Sequence, residues 1–361
     1  MGIDFSPQQW DQVRETYRKW WAGELDRPLV PVQLVGRDSG RPMPAAPLLT
    51  MATCADLSIP AEALVDRLDW ELSRRIYLGD AFPYLDFSCF GPGVMAAFVG
   101  ATLDNSTGGV WFHPSRELPI AEIHLEYDPN NVWLRRIKQV YVAMMERWQR
   151  QVLVGMTDLG GNLDILSTFR PSEGLLLDLY DHPDEVKRVL SESHELWHRY
   201  FAELTAVLQP YNPGYGSWCD IYSDRPYYML QCDFAYMIST EMFKEFVLPE
   251  LEATTRRLDH SFYHLDGKGQ LPHLDCLLGM ERLNGIQWVP GDGNPDCPEW
   301  PEVYQRILGA GKKAQLWGSF AAVYELLQHT GVGAGVHYRT GLHDIARAAE
   351  IRGWLKRFGV A

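Results

Sequence analysis

Residues 261–290, SFYHLDGKGQLPHLDCLLGMERLNGIQWVP, constrain the fold more than any other stretch of the chain. They read as a buried strand over 261–264 ending in His264-Leu265-Asp266-Gly267, a helix over about 271–278, and a second buried strand over 285–289. A strand, a crossover helix and a strand at this spacing make a βαβ unit, and so a parallel sheet. Polar side chains at the exit of such a strand sit where α/β folds keep their chemistry, because the strand fixes them while the loop leaves room for a ligand. His264 and Asp266 are therefore the first candidate site residues.

The same alternation extends along the chain. Further strands are expected at 28–34, 84–90, 152–157, 216–222, 228–236, 312–318 and 331–338. Helices are expected at 6–21, where Ser6 caps and Pro7 opens, and at 60–79, 129–150, 171–180 and 182–208. Another is capped by Ser239 and stops near Pro249, and a last one spans 343–358. A helix and a hairpin turning at Gly108-Gly109 are inserted after the second strand. With 361 residues and no linker or repeat, the expected class is α/β, a (β/α)8 TIM barrel over 28–361. It carries an N-terminal helical extension over 1–27 and an inserted hairpin, and one strand candidate near 216–236 is surplus.

Composition narrows the partners. The net charge is -14 and the 33 Lys and Arg form no cluster, which excludes nucleic acid as a partner. No apolar run approaches the ~20 residues of a membrane helix. The polar start has no apolar h-region, although Met-Gly with Ser6 formally permits myristoylation. Six cysteines without a CxxC pair point to a reducing, cytoplasmic setting. The load of 13 Trp, 17 Tyr and 14 Phe suits an aromatic-walled pocket for a small-molecule substrate, or a homodimer interface.

His194-Glu195-Leu196-Trp197-His198 matches the zinc pattern H-E-x-x-H. On its helix, however, Val186, Val189, Leu190, Trp197, Phe201, Leu204 and Leu208 form the buried stripe, which leaves both histidines on its flank, turned to water. His264 and Asp266 differ, because alternate strand residues share a face and can meet one ion or substrate. A structural His-Asp hydrogen bond is the plainer alternative. Polar residues also leave other strand ends: Asp158 and Asn162, Trp218 and Asp220, Gln287 and Trp288, Trp317, then His337 and Arg339. A barrel would gather these at one mouth.

His264, Asp266 and His337 would then hold Zn2+ or another divalent metal such as Fe2+ or Mn2+, with an open position for substrate. Without a metal, Asp266 would orient His264 as an acid-base pair. Asp158 and Asp233 are the best further carboxylates for catalysis. Trp111, Trp218, Trp288 and Trp317 are expected as pocket walls, with Asn162, Gln287 and Arg339 as substrate contacts. Cys276 is expected in the core.

Several short motifs occur in a telling order: Arg27-Pro28-Leu29-Val30, then GMTDLGGNLD from Gly155 to Asp164, then Leu176-Leu177-Asp178-Leu179-Tyr180-Asp181 with Pro183. Asp233 with Ile238-Ser239 and Phe246-Val247-Leu248-Pro249 follows, and then Tyr263-His264-Leu265-Asp266-Gly267. In these the chain resembles the uroporphyrinogen decarboxylase superfamily, in particular its corrinoid and coenzyme M methyltransferases. The resemblance implies a (β/α)8 barrel, transfer of a methyl or other one-carbon group, and a corrinoid protein as partner. Similar thiol methyltransferases hold zinc with a His-x-Cys pair and a late Cys. Here those places read His264-x-Asp266 and His337, a harder ligand set.

The alternative within the superfamily is a carboxy-lyase on a porphyrin-type substrate, using Asp158 or Asp233 and a basic pocket containing Arg37. Of the arginine-rich segment of those decarboxylases, this chain has only Val35-Gly36-Arg37. A glycoside hydrolase would need two carboxylates across the mouth. A non-catalytic corrinoid-binding protein would need neither.

Overall fold

The computed structural model describes residues 2–331 and 333–360. Its strands are β1 (Pro31–Val35), β2 (Arg75–Gly79), β3 (Tyr84–Leu85), β4 (Thr102–Asp104), β5 (Trp111–His113) and β6 (Leu153–Val154). After them come β7 (Tyr227–Gln231), β8 (His260–Asp266), β9 (Gly285–Val289), β10 (Lys313–Leu316), β11 (Val336–Tyr338) and β12 (Leu342–Asp344). Five of these form a parallel sheet in the order β11-β10-β9-β8-β7. A second sheet, β12-β1-β2, pairs β1 parallel to β12 and antiparallel to β2. β3 pairs parallel with β6, β4 and β5 form the inserted hairpin, and Leu29 bridges His337 in parallel. These pairings do not run unbroken through eight strands. They establish a mixed α/β fold around a parallel five-stranded sheet.

Register places one kind of chemistry on each face of that sheet. Leu230, Tyr263, Ile286, Ala314 and Val336 lie side by side on neighbouring strands, all buried. One residue further along, on the opposite face, Gln231, His264, Gln287, Gln315 and His337 form a row of polar side chains. Below that row, at the start of the strands, the N-terminal helix Pro7–Ala22 inserts its aromatic side. Tyr17 and Trp20 are fully buried there, with Trp20 stacked on Phe262 at 6.0 Å.

Several elements depart from the sequence-based expectation. The helix expected over 60–79 ends at Ser73, and its last turn is instead β2, where Gly79 takes φ 62° against the Val30 carbonyl. The expected strand 84–90 stops after Leu85 and gives way to a 3-10 turn, Ser88–Phe90. Residues 216–222 form no strand: Tyr215 and Ser223 bridge each other on either side of them, and the Gly216 carbonyl accepts from the Met156 N–H just past β6 at 2.9 Å. That removes the surplus candidate. Pro249 does not end a helix but occupies the first turn of another, Leu248–Arg257, where a missing N–H costs nothing. Part of the expected strand 331–338, Val332, lies outside the described residues. The six cysteines are free, and among the described residues no helix is long and apolar enough to cross a membrane.

Candidate metal centre

At the carboxyl ends of β7 and β8 three ligand groups converge. Asp233, His264 and Asp266 each offer one atom, and these atoms lie within 4.8 Å of one another. His264 and Asp266 are on one face of β8, with His264 Nε2 3.8 Å from Asp266 Oδ2. Asp233 follows β7, two residues beyond Gln231, the strand partner of His264. His264 is largely enclosed, whereas Asp233 is open to solvent and Asp266 partly so.

The polar row fixes the imidazole. His264 Nδ1 donates to Gln287 Oε1, and Gln287 Nε2 donates to Gln315 Oε1 and to Cys219 Sγ, the latter at 3.1 Å. Gln315 Nε2 in turn donates to His337 Nδ1 at 3.1 Å, and His337 Nε2 donates to the Asp220 carbonyl at 3.2 Å. Read in this direction every donor meets an acceptor. The row therefore leaves the His264 Nε2 lone pair facing the two carboxylates. The rings of Trp218 and His264 meet at right angles, their centroids 5.0 Å apart.

His337 is not part of that centre. It stands three strands from His264 in the same row, with the amides of Gln287 and Gln315 between the two rings. It is fully buried, both of its nitrogens are engaged, and burial lowers its pKa. The expectation that it joins His264 and Asp266 on one ion is corrected by this geometry. Asp233 takes the third place instead.

A second set of acids lies beside the centre. Asp164 accepts from the backbone N–H of Asp233 at 3.0 Å and of Phe234 at 2.8 Å, so it holds the turn that presents Asp233. Burial, with the charge of Asp233, raises Asp164 to about 8. Asp158, buried against Gln231 at 3.3 Å, is raised to about 7, first by burial. Asp233 keeps an edge open to solvent, yet the protein packed around its carboxylate partly desolvates it and raises its pKa, against the opposing pull of His264. Gly93, Phe112, Asp164, Gln231, Asp233 and Met237 line a cavity of about 300 Å3 here. A larger groove of about 660 Å3, between residues 57–62 and 135–146, holds none of the candidate residues.

The remaining expectations scatter. Trp111 is exposed on the hairpin, while its neighbour Phe112 lines the cavity. Trp288 is fully buried against Trp300, so it forms core and not pocket wall. Trp317 packs partly buried on the core, and Cys276 also packs against it. Asn162 faces away from the centre, accepting from Ser193 at 2.9 Å and meeting Glu250 and His194. Arg339 pairs with Asp220 at 3.5 Å. Arg37 donates to the Gly2 and Ser73 carbonyls and stands 3.7 Å from Asp4, in neither of the cavities at the strand exits.

His194 and His198 are half-buried, not turned to water, because the helix Leu248–Arg257 covers their flank. His198 Nε2 lies 3.3 Å from Thr254 Oγ1, and burial depresses its pKa to about 3. The residues that sequence reasoning passed over are Asp164, Cys219, Gln315 and Glu250. For the glutamine the signal was present: one lone polar residue inside each apolar strand, GIQWV and KAQL.

No protein-family model matches the sequence, and no curated protein sequence matches it. The fold is similar to that of a methyltransferase from Methanosarcina mazei. The two chains share 11% identity with a TM-score of 0.52, over 89% of this chain and 95% of the other. At that identity the likeness is one of fold.

Proposed function

We propose that the chain is a methyltransferase whose small-molecule substrate lies at the exits of β7 and β8, beside a divalent metal held by Asp233, His264 and Asp266. The convergence of one imidazole and two carboxylates within 4.8 Å carries this reading, and the fold similarity supports it. The groups fit a metal. His264 presents a bare Nε2 because its Nδ1–H is committed to Gln287. One nitrogen and two oxygens suit Zn2+, Fe2+ or Mn2+, whereas the thiolates of a thiol-rich zinc site are absent from this cluster. Such a metal would supply Lewis acidity, keeping a substrate heteroatom deprotonated and nucleophilic.

The chain's own residues supply orientation and proton handling. Gln287 locks the His264 ring, Trp218 walls it from one side, and Asp164 holds the Asp233 turn. Asp158 and Asp164, raised to about 7 and about 8, can accept or release a proton near neutral pH. The finer form of the reading is a (β/α)8 barrel of the uroporphyrinogen decarboxylase type, with a corrinoid protein as methyl donor. The motif order and the Leu29–His337 bridge between the start and end of the fold favour it.

Elemental analysis of the purified protein, with transfer from methylcobalamin to a thiol as the assay, tests the proposal. His264→Ala and Asp266→Asn should each lose bound metal and transfer while far-UV circular dichroism stays unchanged. Metal retained at full stoichiometry in both variants sinks it. A second reading, a carboxy-lyase, is favoured by the raised Asp158 and Asp164, and carbon dioxide release from a carboxylated substrate would select it over methyl transfer.

A further inference from the structure

The polar row that ends at His264 can run in either of two directions, because a glutamine amide turns over and a neutral imidazole changes tautomer. Gln287, Gln315 and His337 are each at most 1% exposed, so no water corrects a mismatch along it. One end must choose for the whole row.

The choice is made at Asp220. Its backbone carbonyl, which can only accept, meets His337 Nε2 at 3.2 Å, and its carboxylate, held beside Arg339, meets Gln315 Nε2 at 3.5 Å. With its proton on Nε2, His337 has only Nδ1 to accept with, and Gln315 donates to it at 3.1 Å. Gln315 is then left its oxygen for Gln287, and Gln287 its oxygen for His264. The reverse direction turns the Gln315 oxygen onto the Asp220 carboxylate and strips the Asp220 carbonyl of its donor. The other neighbours impose nothing: the Tyr17 hydroxyl, 3.4 Å from His337 Nε2, and the Cys219 thiol beside Gln287 can each donate or accept.

At the far end the pull is opposite. Asp266 Oδ2 stands 3.8 Å from His264 Nε2, and with no metal between them a carboxylate is best satisfied by a proton on that nitrogen. A ring in that state has no lone pair to give an ion. We propose that His337 is a positioning residue for the metal centre: anchored on Asp220, it fixes through Gln315 and Gln287 the tautomer that keeps His264 Nε2 bare. Its purpose rests on the metal reading, whereas its control of the His264 tautomer stands without it.

Nitrogen-15 spectra of the histidines, in the full-length protein stripped of metal by chelation and held where imidazole is neutral, read the tautomer, and His264→Ala gives the assignment. The unmodified protein should show Nδ1 protonated and Nε2 bare at His264. His337→Phe, which keeps a ring and removes both nitrogens, should move the proton towards Nε2 and weaken Zn2+ binding about tenfold. His337→Gln, which brings back one donor and one acceptor, should restore both. Gln315→Leu, which cuts the row midway, should behave as His337→Phe and serves if that variant does not fold. A proton on Nε2 in the unmodified protein, an unmoved proton in the variants that break the row, or equal losses in His337→Phe and His337→Gln overturns the proposal. If the tautomer responds as stated while the unmodified protein binds no Zn2+, it is the metal reading that fails.

Discussion

A neutral side chain decides how His264 is used. Gln287 is buried in an apolar strand, and it accepts the Nδ1 proton while its own amide is held by Gln315 and Cys219. Partners of this kind set the tautomer of a ligating imidazole, and losing one lowers metal affinity by about tenfold to a hundredfold. Gln287→Leu should do the same here, read by competition with a chromogenic chelator, while the metal stoichiometry at saturation stays that of the unmodified protein. An affinity within twofold of the original would mean that the row is structural only. The pairing of His264 with Asp266 was legible from alternate strand positions alone. Asp233 was legible as a carboxylate, but its partners were not, since the sheet register that sets it beside His264 is a property of two strands separated by a whole helix pair. His337 failed for the same reason, because register put it in the row and three strands away.

At the scale of elements, the helices Pro183–Leu208 and Leu248–Arg257 enclose a polar cluster with consequences for stability. Burial raises Glu250 there from 4.5 to about 8. Between those values the folded chain keeps a proton that the unfolded chain has released, so this group's contribution to stability declines as pH rises to 8. Asp158 and Asp164 act in the same direction. His198 and His260, depressed from 6.5 to about 3 and about 4, act oppositely, but only below 6.5, where the unfolded imidazoles take up protons. From pH 6.5 to 8 the acids act unopposed by these imidazoles. The melting temperature should therefore fall across that interval, and Glu250→Gln should flatten the fall. A melting temperature that rises from pH 6.5 to 8 would contradict the burial of these acids. This cluster was hidden in the sequence because Pro249 reads as a helix stop, whereas in the fold it opens a helix. By contrast β9, the inserted hairpin and the long helix up to Leu208 were legible, each having a strong periodic pattern with clear punctuation. β2 was not, since five residues continuing a helical pattern carry no local mark that they leave it.

Over the whole molecule, the chemistry and the anchoring occupy opposite ends of the same polar face. The candidate metal centre lies at the strand exits, while the helix Pro7–Ala22 fills the strand starts with Tyr17 and Trp20. A segment that looks like an appendage in the sequence thus belongs to the central packing. Trp20 stacks on Phe262, meets the ring of Trp21 at 4.7 Å and that of His337 at 6.1 Å, and lies 5.1 Å under the Lys313 ammonium. Removing a buried indole of this kind costs about 3 to 5 kcal/mol, out of the roughly 5 to 15 kcal/mol that holds a typical protein together. Trp20→Ala should lower the unfolding free energy by that amount, read as a lower denaturant midpoint at an unchanged m value. Metal affinity of the folded variant should stay within about threefold, because Trp20 touches the polar row only at His337, its far end from His264, and distant sites couple by only a few tenths of a kcal/mol. If Trp20→Ala left the midpoint unchanged, the helix would be a dispensable extension after all. If it abolished metal binding in a variant still folded, the strand starts and the strand exits would form one coupled unit, with the polar row from His337 to His264 as the physical link between them.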